Sequence, residues 1–134
     1  MLTINPSGNT PIYQQIIDQI REKVLIGLLR PGDKLPSVRE LATMITINPN
    51  TIQKAYQELE RQKIIVTVRG RGTFVSQDYK GRQDAEQLEA LEEYFRKGIL
   101  DARYLGLSQK DVQDLIDVLY KDLKARRQKN VKDN

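Results

Sequence analysis

Two short runs of this sequence gather side chains able to bind an anionic, hydrogen-bonding partner. The first is Asn48-Pro49-Asn50-Thr51-Ile52-Gln53-Lys54-Ala55-Tyr56-Gln57, and the second is Arg69-Gly70-Arg71-Gly72. Asn and Gln can pair bidentately with adenine, Thr can donate to a phosphate or touch a thymine methyl, and Lys can serve guanine or phosphate. Arg39 stands apart in Ser37-Val38-Arg39-Glu40, where a helix start would add free amides and a favourable dipole that attract a phosphate. The chemistry on offer is recognition of a nucleic-acid duplex. Asn48, Asn50, Thr51, Gln53, Lys54 and Gln57 would meet the groove, with Arg39, Arg69, Gly70 and Arg71 at the backbone or a second groove. Each group also has a plainer reading: a solvated helix face, a solvated arginine, a turn with incidental charge. Arg69-Gly70-Arg71-Gly72 is similar to a very short phosphate loop, but it lacks the Gly-Lys-Ser/Thr ending that nucleotide binding uses.

The elements that must hold these groups can be read from hydrophobic period. Ile12, Ile16, Ile17, Ile20, Val24, Leu25 and Leu28 recur at three and four, which predicts a first helix of about five turns, capped by Thr10 with Pro11 at its first position. Arg30-Pro31-Gly32-Asp33 predicts a sharp turn. Ser37 and Glu40 form the pattern of a capping box that opens a short second helix with Leu41, Ala42 and Ile45 inward. Asn48 caps a third helix with Pro49 first, and Ile52, Ala55, Tyr56 and Leu59 make its apolar face, which leaves Asn50, Lys54, Gln57 and Arg61 opposite. The period then changes to β-branched and aromatic runs, Ile64 to Val68 and Thr73 to Val75, joined by the Arg-Gly repeat as a hairpin. Three short helices and a hairpin with a basic tip are the winged helix-turn-helix arrangement.

Asp78 to Asp84 looks like a linker. Beyond it Leu88, Leu91, Phe95, Ile99 and Ala102 mark one helix, and Val112, Leu115, Ile116, Leu119 and Leu123 mark another, with Ser108 and Asp111 as a capping-box variant. Tyr104 to Leu107 should join them as a helical hairpin, and Lys124 to Asn134 should fray. Two striped helices cannot hide both stripes by facing only each other, so a partner surface is expected. The expected fold is mainly α with a small β-hairpin: residues 1–79 form a winged helix-turn-helix and residues 80–134 a two-helix dimerisation tail.

Composition narrows the function classes. The 134 residues include no Cys, no His and no Trp, which removes thiol, disulfide and imidazole chemistry and the usual zinc ligands. An all-oxygen Mg²⁺ or Ca²⁺ site stays open on composition, but no cofactor or metal is indicated. An enzyme would need converging carboxylates, and the acids here are scattered. The longest near-apolar stretch, Val24 to Leu29, falls far short of the roughly 20 residues of a membrane span. With no signal pattern at the N-terminus, the expectation is a cytoplasmic protein without a membrane partner. Net charge is +4, with ten cations against seven acids in residues 1–79 and twelve against eleven in residues 80–134. The total says little, and the placement of Arg39, Lys54 and Arg71 says more.

The run Pro11-Ile12-Tyr13-Gln14-Gln15-Ile16, the words Leu29-Arg30-Pro31-Gly32-Asp33-Lys34-Leu35-Pro36-Ser37-Val38-Arg39-Glu40-Leu41-Ala42, the third helix from Asn48 to Glu60, and Gly70-Arg71-Gly72-Thr73-Phe74-Val75 together resemble the DNA-binding domain of the GntR family of bacterial transcription regulators. The resemblance spans about 65 consecutive residues, words and spacing alike. It implies that Arg39 contacts phosphate or base, that the start of the third helix reads the major groove and that Gly70 meets the minor groove. Some family members carry arginines where this chain has Pro49 and Gln53, so a guanine reader is exchanged here for a proline and an amide.

The short tail resembles the YtrA-type subfamily, in which the tail serves dimerisation. That implies a homodimeric regulator, most readily a repressor, on a palindromic operator in double-stranded DNA, and an operon containing a membrane transporter. Leu88, Leu91, Phe95, Ile99, Leu115, Ile116 and Leu119 are then the candidates for the tail core or dimer interface. A protein-binding adaptor is the rival reading. No residue pattern names a small-molecule effector.

Overall fold

The computed structural model describes residues 2–77 and 85–133. The elements run α1 (Ile12–Leu25), β1 (Lys34–Leu35), α2 (Val38–Ile45), α3 (Pro49–Arg61), β2 (Ile65–Val68), β3 (Gly72–Val75), α4 (Ala85–Tyr104) and α5 (Gln109–Asp133). Contacts divide the chain into two units, one on each side of the 78–84 segment. The predicted linker itself lies outside the described residues.

In the first unit α1 buries Ile16, Ile17 and Ile20, the inward residues of its three-four stripe. Its start differs from expectation. Pro11 occupies the cap with ψ 148°, and no side chain caps the helix. Thr10 therefore lies before the cap, and its carbonyl and that of Asn5 accept from the Gln15 amide, at 2.8 and 2.9 Å. The N-terminal segment is held in the same manner: Gln15 Oε1 accepts from Asn5 N–H, while Gln19 accepts from Thr3 N–H and donates to Thr3 O. Two glutamines one turn apart thus act as a ladder for alternate residues of an extended segment, and Leu2 and Ile4 pack against the core.

The end of α1 also differs. It stops at Leu25 rather than near Leu28 because Gly27 takes φ +79°. Gly27 N–H then donates to Val24 O and Leu28 N–H to Lys23 O, the paired bonds that close a helix through a left-handed residue.

The Arg30–Asp33 turn forms as expected, with Arg30 N–H on Asp33 Oδ2 at 2.8 Å and Asp33 N–H on Arg30 O at 3.0 Å. Directly after it the chain departs from the expected pattern. Lys34 and Leu35 form a strand that pairs antiparallel with β3, Lys34 opposite Phe74 and Leu35 opposite Thr73. With β2 on the other side of β3, from Ile65 opposite Val75 to Val68 opposite Gly72, the sheet has three strands in the order β1-β3-β2. The expected hairpin is therefore two strands of a three-stranded sheet. Ile16, Ile20, Leu35, Leu41, Ile52, Leu59, Ile64 and Val75 meet in one core.

In the second unit α4 closes through Gly106 at φ +80°, with Leu107 N–H on Ala102 O. Ser108 opens α5 with both halves of a capping box, Asp111 N–H on Ser108 Oγ at 3.1 Å and Ser108 N–H on Asp111 Oδ2 at 2.9 Å. These bonds hold the Asp111 carboxyl below its usual range. The two helices are joined as predicted but do not pack along their lengths as a helical hairpin. Only Ala102 is buried among the described side chains of this unit, and Phe95 and Leu119 remain more than half exposed. The stretch expected to fray is helical as far as Asp133, consistent with its good helix formers and the Asp122–Arg126 pair one turn apart.

Candidate nucleic-acid interface

The turn between α2 and α3 is built from three local devices. Ser37 Oγ accepts Glu40 N–H at 3.1 Å and sets the start of α2. Thr46 takes the left-handed conformation at φ 55°, and Ile47 N–H returns to Ala42 O, which ends α2 after eight residues. Asn48 Oδ1 then accepts Asn50 N–H at 2.8 Å, with Pro49 in the first turn, and starts α3. Tyr56 fixes the two helices together: its hydroxyl donates to Pro36 O at 2.7 Å, just before α2. Burial pushes the Tyr56 phenol up to about 12, with Glu40 adding to the shift.

On this frame Arg39 is exposed in the first turn of α2, and its carbonyl accepts the Thr43 hydroxyl at 3.0 Å. Asn50, Gln53, Lys54 and Gln57 are exposed on α3, Thr51 is half-buried, and Ile52, Ala55, Tyr56 and Leu59 face the core. The polar face expected from the helical period is therefore assembled, with two adjustments. Asn48 has committed its side-chain oxygen to the cap. Arg61 is tied to Glu58, its Nε at 2.9 Å and its Nη2 at 2.7 Å from the carboxylate oxygens. Arg61, with help from Gln62, lowers Glu58 to about 2, and the last turn of the face presents an ion pair instead of a lone cation. Lys54 rests its Nζ 3.8 Å from the centroid of the Tyr13 ring in α1.

At the wing, Arg69, Gly70 and Arg71 are exposed in a turn closed by Arg71 N–H on Val68 O at 2.9 Å. Gly70 has φ +80° and nothing within 4 Å of where a Cβ would sit, so the tip is open to close approach. Gly72 is constrained differently: at φ +124° its Cβ position lies 3.0 Å from Lys34 Cε. The Lys34 stem thus crosses the base of the wing and adds a third cation to Arg69 and Arg71. Sequence reasoning missed Lys34 because the β1–β3 pairing that carries it there is long-range. No group of three or more carboxylates converges to hold a metal ion among the described residues. No helix among them is long and apolar enough to cross a membrane.

Residues 12–75 match the family model described as bacterial regulatory proteins, gntR family. The chain is similar to the HTH-type transcriptional repressor YtrA of Bacillus subtilis (strain 168), with 46% identity over 125 residues that cover 93% of this chain and 96% of the relative. The chain belongs to the GntR family. Among solved structures it is similar to a protein described as a transcriptional antiterminator from Listeria monocytogenes EGD-e, with 41% identity, a TM-score of 0.85 and 92% of each chain covered. It is also similar to the DNA-binding domain of AraR in complex with operator ORX1, with 30% identity and a TM-score of 0.51, over 56% of this chain and 96% of that one. As a GntR member with this winged helix-turn-helix it is a DNA-binding transcription regulator. Its relatives are named as regulators, not enzymes.

Proposed function

We propose that this GntR protein is a cytoplasmic repressor that binds a palindromic operator as a homodimer and controls an operon containing a membrane transporter. The observation that carries the duplex contact is the exposed polar face of α3, with Asn50, Gln53, Lys54 and Gln57, in the same unit as Arg39 and the Arg69-Gly70-Arg71 tip. In this reading α3 lies in the major groove, Arg39 and Lys54 meet phosphates, and the wing follows the neighbouring groove. Asn48 caps α3 through its side-chain oxygen and turns its amide nitrogen to DNA. Repression is supported by the near full-length similarity to a relative named as a repressor. Dimerisation is supported by the apolar faces of α4 and α5, where Leu88, Leu91, Phe95, Ile99, Leu115, Ile116 and Leu119 stay 36–56% exposed in a single chain. A second copy would cover them and place two recognition helices on one palindrome.

Genome-wide mapping of bound sites identifies the operator, and anisotropy titration of a duplex from the strongest site tests the contacts. The full chain should bind with a steep salt dependence, each neutralised phosphate contributing about 0.9 to the log–log slope. The Arg39→Ala, Lys54→Ala and Arg71→Ala triple variant should stay folded and dimeric while losing the duplex. Retained binding in that variant, or a flat salt response, contradicts the assignment and favours an adaptor. Transcription from the mapped promoter should fall when the protein is added, and a rise contradicts repression.

A further inference from the structure

Lys54, on the outward face of α3, reaches an aromatic ring of another helix. At 100° per residue the direction opposite Ile52, Ala55, Tyr56 and Leu59 passes between Asn50 and Arg61, with Gln57 and Lys54 about 30° to either side of it. The Lys54 Nζ sits 3.8 Å from the Tyr13 ring centroid. Tyr13 is half-buried in the first turn of α1 and packs against the core cluster, so the ring is the fixed partner and the lysine stem the mobile one. A ring face attracts an ammonium through its quadrupole and consumes no N–H in a lone-pair bond. The donors turned away from the ring stay available to an acceptor. A free lysine stem, by contrast, surrenders its rotamer freedom on binding, at about 0.5–1.5 kcal/mol for a rotamer-rich side chain.

We propose that Tyr13 is a positioning residue for DNA binding: its ring holds the Lys54 ammonium at the edge of the recognition face, so that the charge meets a DNA phosphate already ordered. The Tyr13 contact draws the Lys54 ammonium toward α1, away from the Gln57 side of the face, which assigns it to the backbone bordering the groove rather than to base edges. This inference rests on the proposal that the α3 face lies against the duplex, and the test separates the two.

Anisotropy titrations of the full chain on the mapped operator duplex, over a salt series, compare Lys54→Met, Tyr13→Phe, Tyr13→Leu and the Tyr13→Leu/Lys54→Met double variant. Lys54→Met should weaken binding and flatten the salt slope by about one phosphate. Tyr13→Leu should weaken binding about 2- to 10-fold, the ratio that the rotamer cost above implies, and leave the slope unchanged because the charge remains. Tyr13→Phe, which keeps the ring, should bind as the wild type does. In the Lys54→Met background Tyr13→Leu should change nothing further. A second readout needs no DNA: ring current should shift the Lys54 ε-methylene protons upfield in the free wild type and in Tyr13→Phe, and not in Tyr13→Leu.

Lys54→Met weakening binding while Tyr13→Leu does not would overturn this inference alone. An indifferent Lys54→Met would overturn it together with the phosphate assignment of Lys54. Equal losses in Tyr13→Phe and Tyr13→Leu would assign the effect to the phenol hydroxyl and overturn it, as would unshifted Lys54 methylenes in the wild type.

Discussion

Lys63 closes α3 with φ +61°, a conformation that glycine adopts freely and lysine does not. Ile64 N–H still reaches Leu59 O at 3.0 Å, so the helix end is made at the expense of backbone strain. Lys63→Gly should stabilise the protein by about 0.5–1 kcal/mol, the left-handed penalty net of glycine's greater freedom in the unfolded chain. A rise in the urea midpoint with operator affinity unchanged is the expected result, and a fall would show that the lysine side chain contributes more than its backbone costs. Glu58 gives a pH-dependent counterpart. Its carboxyl, lowered from 4.5 to about 2 chiefly by its hydrogen bonds from Arg61, contributes stability that is fully present above pH 4.5 and is lost as pH falls toward 2. The pair is exposed enough that the effect should be small. The melting-temperature difference between wild type and Glu58→Gln should therefore close across that window, and a constant difference would contradict the role of the charge.

At the scale of elements, the cap signals were legible because they are local. Ser37, Asn48 and Ser108 each bond an amide two or three residues away, within the span that a sequence word covers. The apolar face of α3 was legible for the same reason. What escaped was long-range or too short to carry a period. β1 has two residues, Gln15 and Gln19 hold a segment 10 and 16 residues away, and the Tyr13–Lys54 contact joins different helices. Thr10 misled because a proline after a threonine reads as a cap and first turn, whereas Pro11 itself takes the cap position and no side chain caps the helix. The Tyr56 hydroxyl belongs to this group: its apolar phase was evident, but its bond to Pro36 O was not. Tyr56→Phe leaves that carbonyl without its donor and should cost about 1–2 kcal/mol. Because the bond joins α3 to the residue before the Ser37 cap, amide exchange should quicken at the start of α2 more than in the sheet. Uniform quickening would mean that Tyr56 acts only through packing.

For the whole molecule, the two units differ in how they use their apolar residues. The first closes a core around α3, while α4 and α5 leave theirs outside, an arrangement that a lone chain in water does not favour. The sequence showed that these stripes need a covering surface, but the amphipathic pattern is the same whether a helix packs on its neighbour or on another molecule. With a second copy as the cover, the melting temperature should rise with protein concentration, by mass action. Phe95→Asp should yield monomers by light scattering, with the fold of the N-terminal unit intact. A melting point independent of concentration would remove the self-association. The same exposed faces bear on regulatory dose. In the proposed homodimer on a palindrome, a lone chain would present one recognition helix, and only a pair would engage both half-sites together. Below the dissociation constant of the pair and far from saturation, operator occupancy should grow with the square of protomer number, so halving synthesis would cut occupancy about four-fold rather than two-fold.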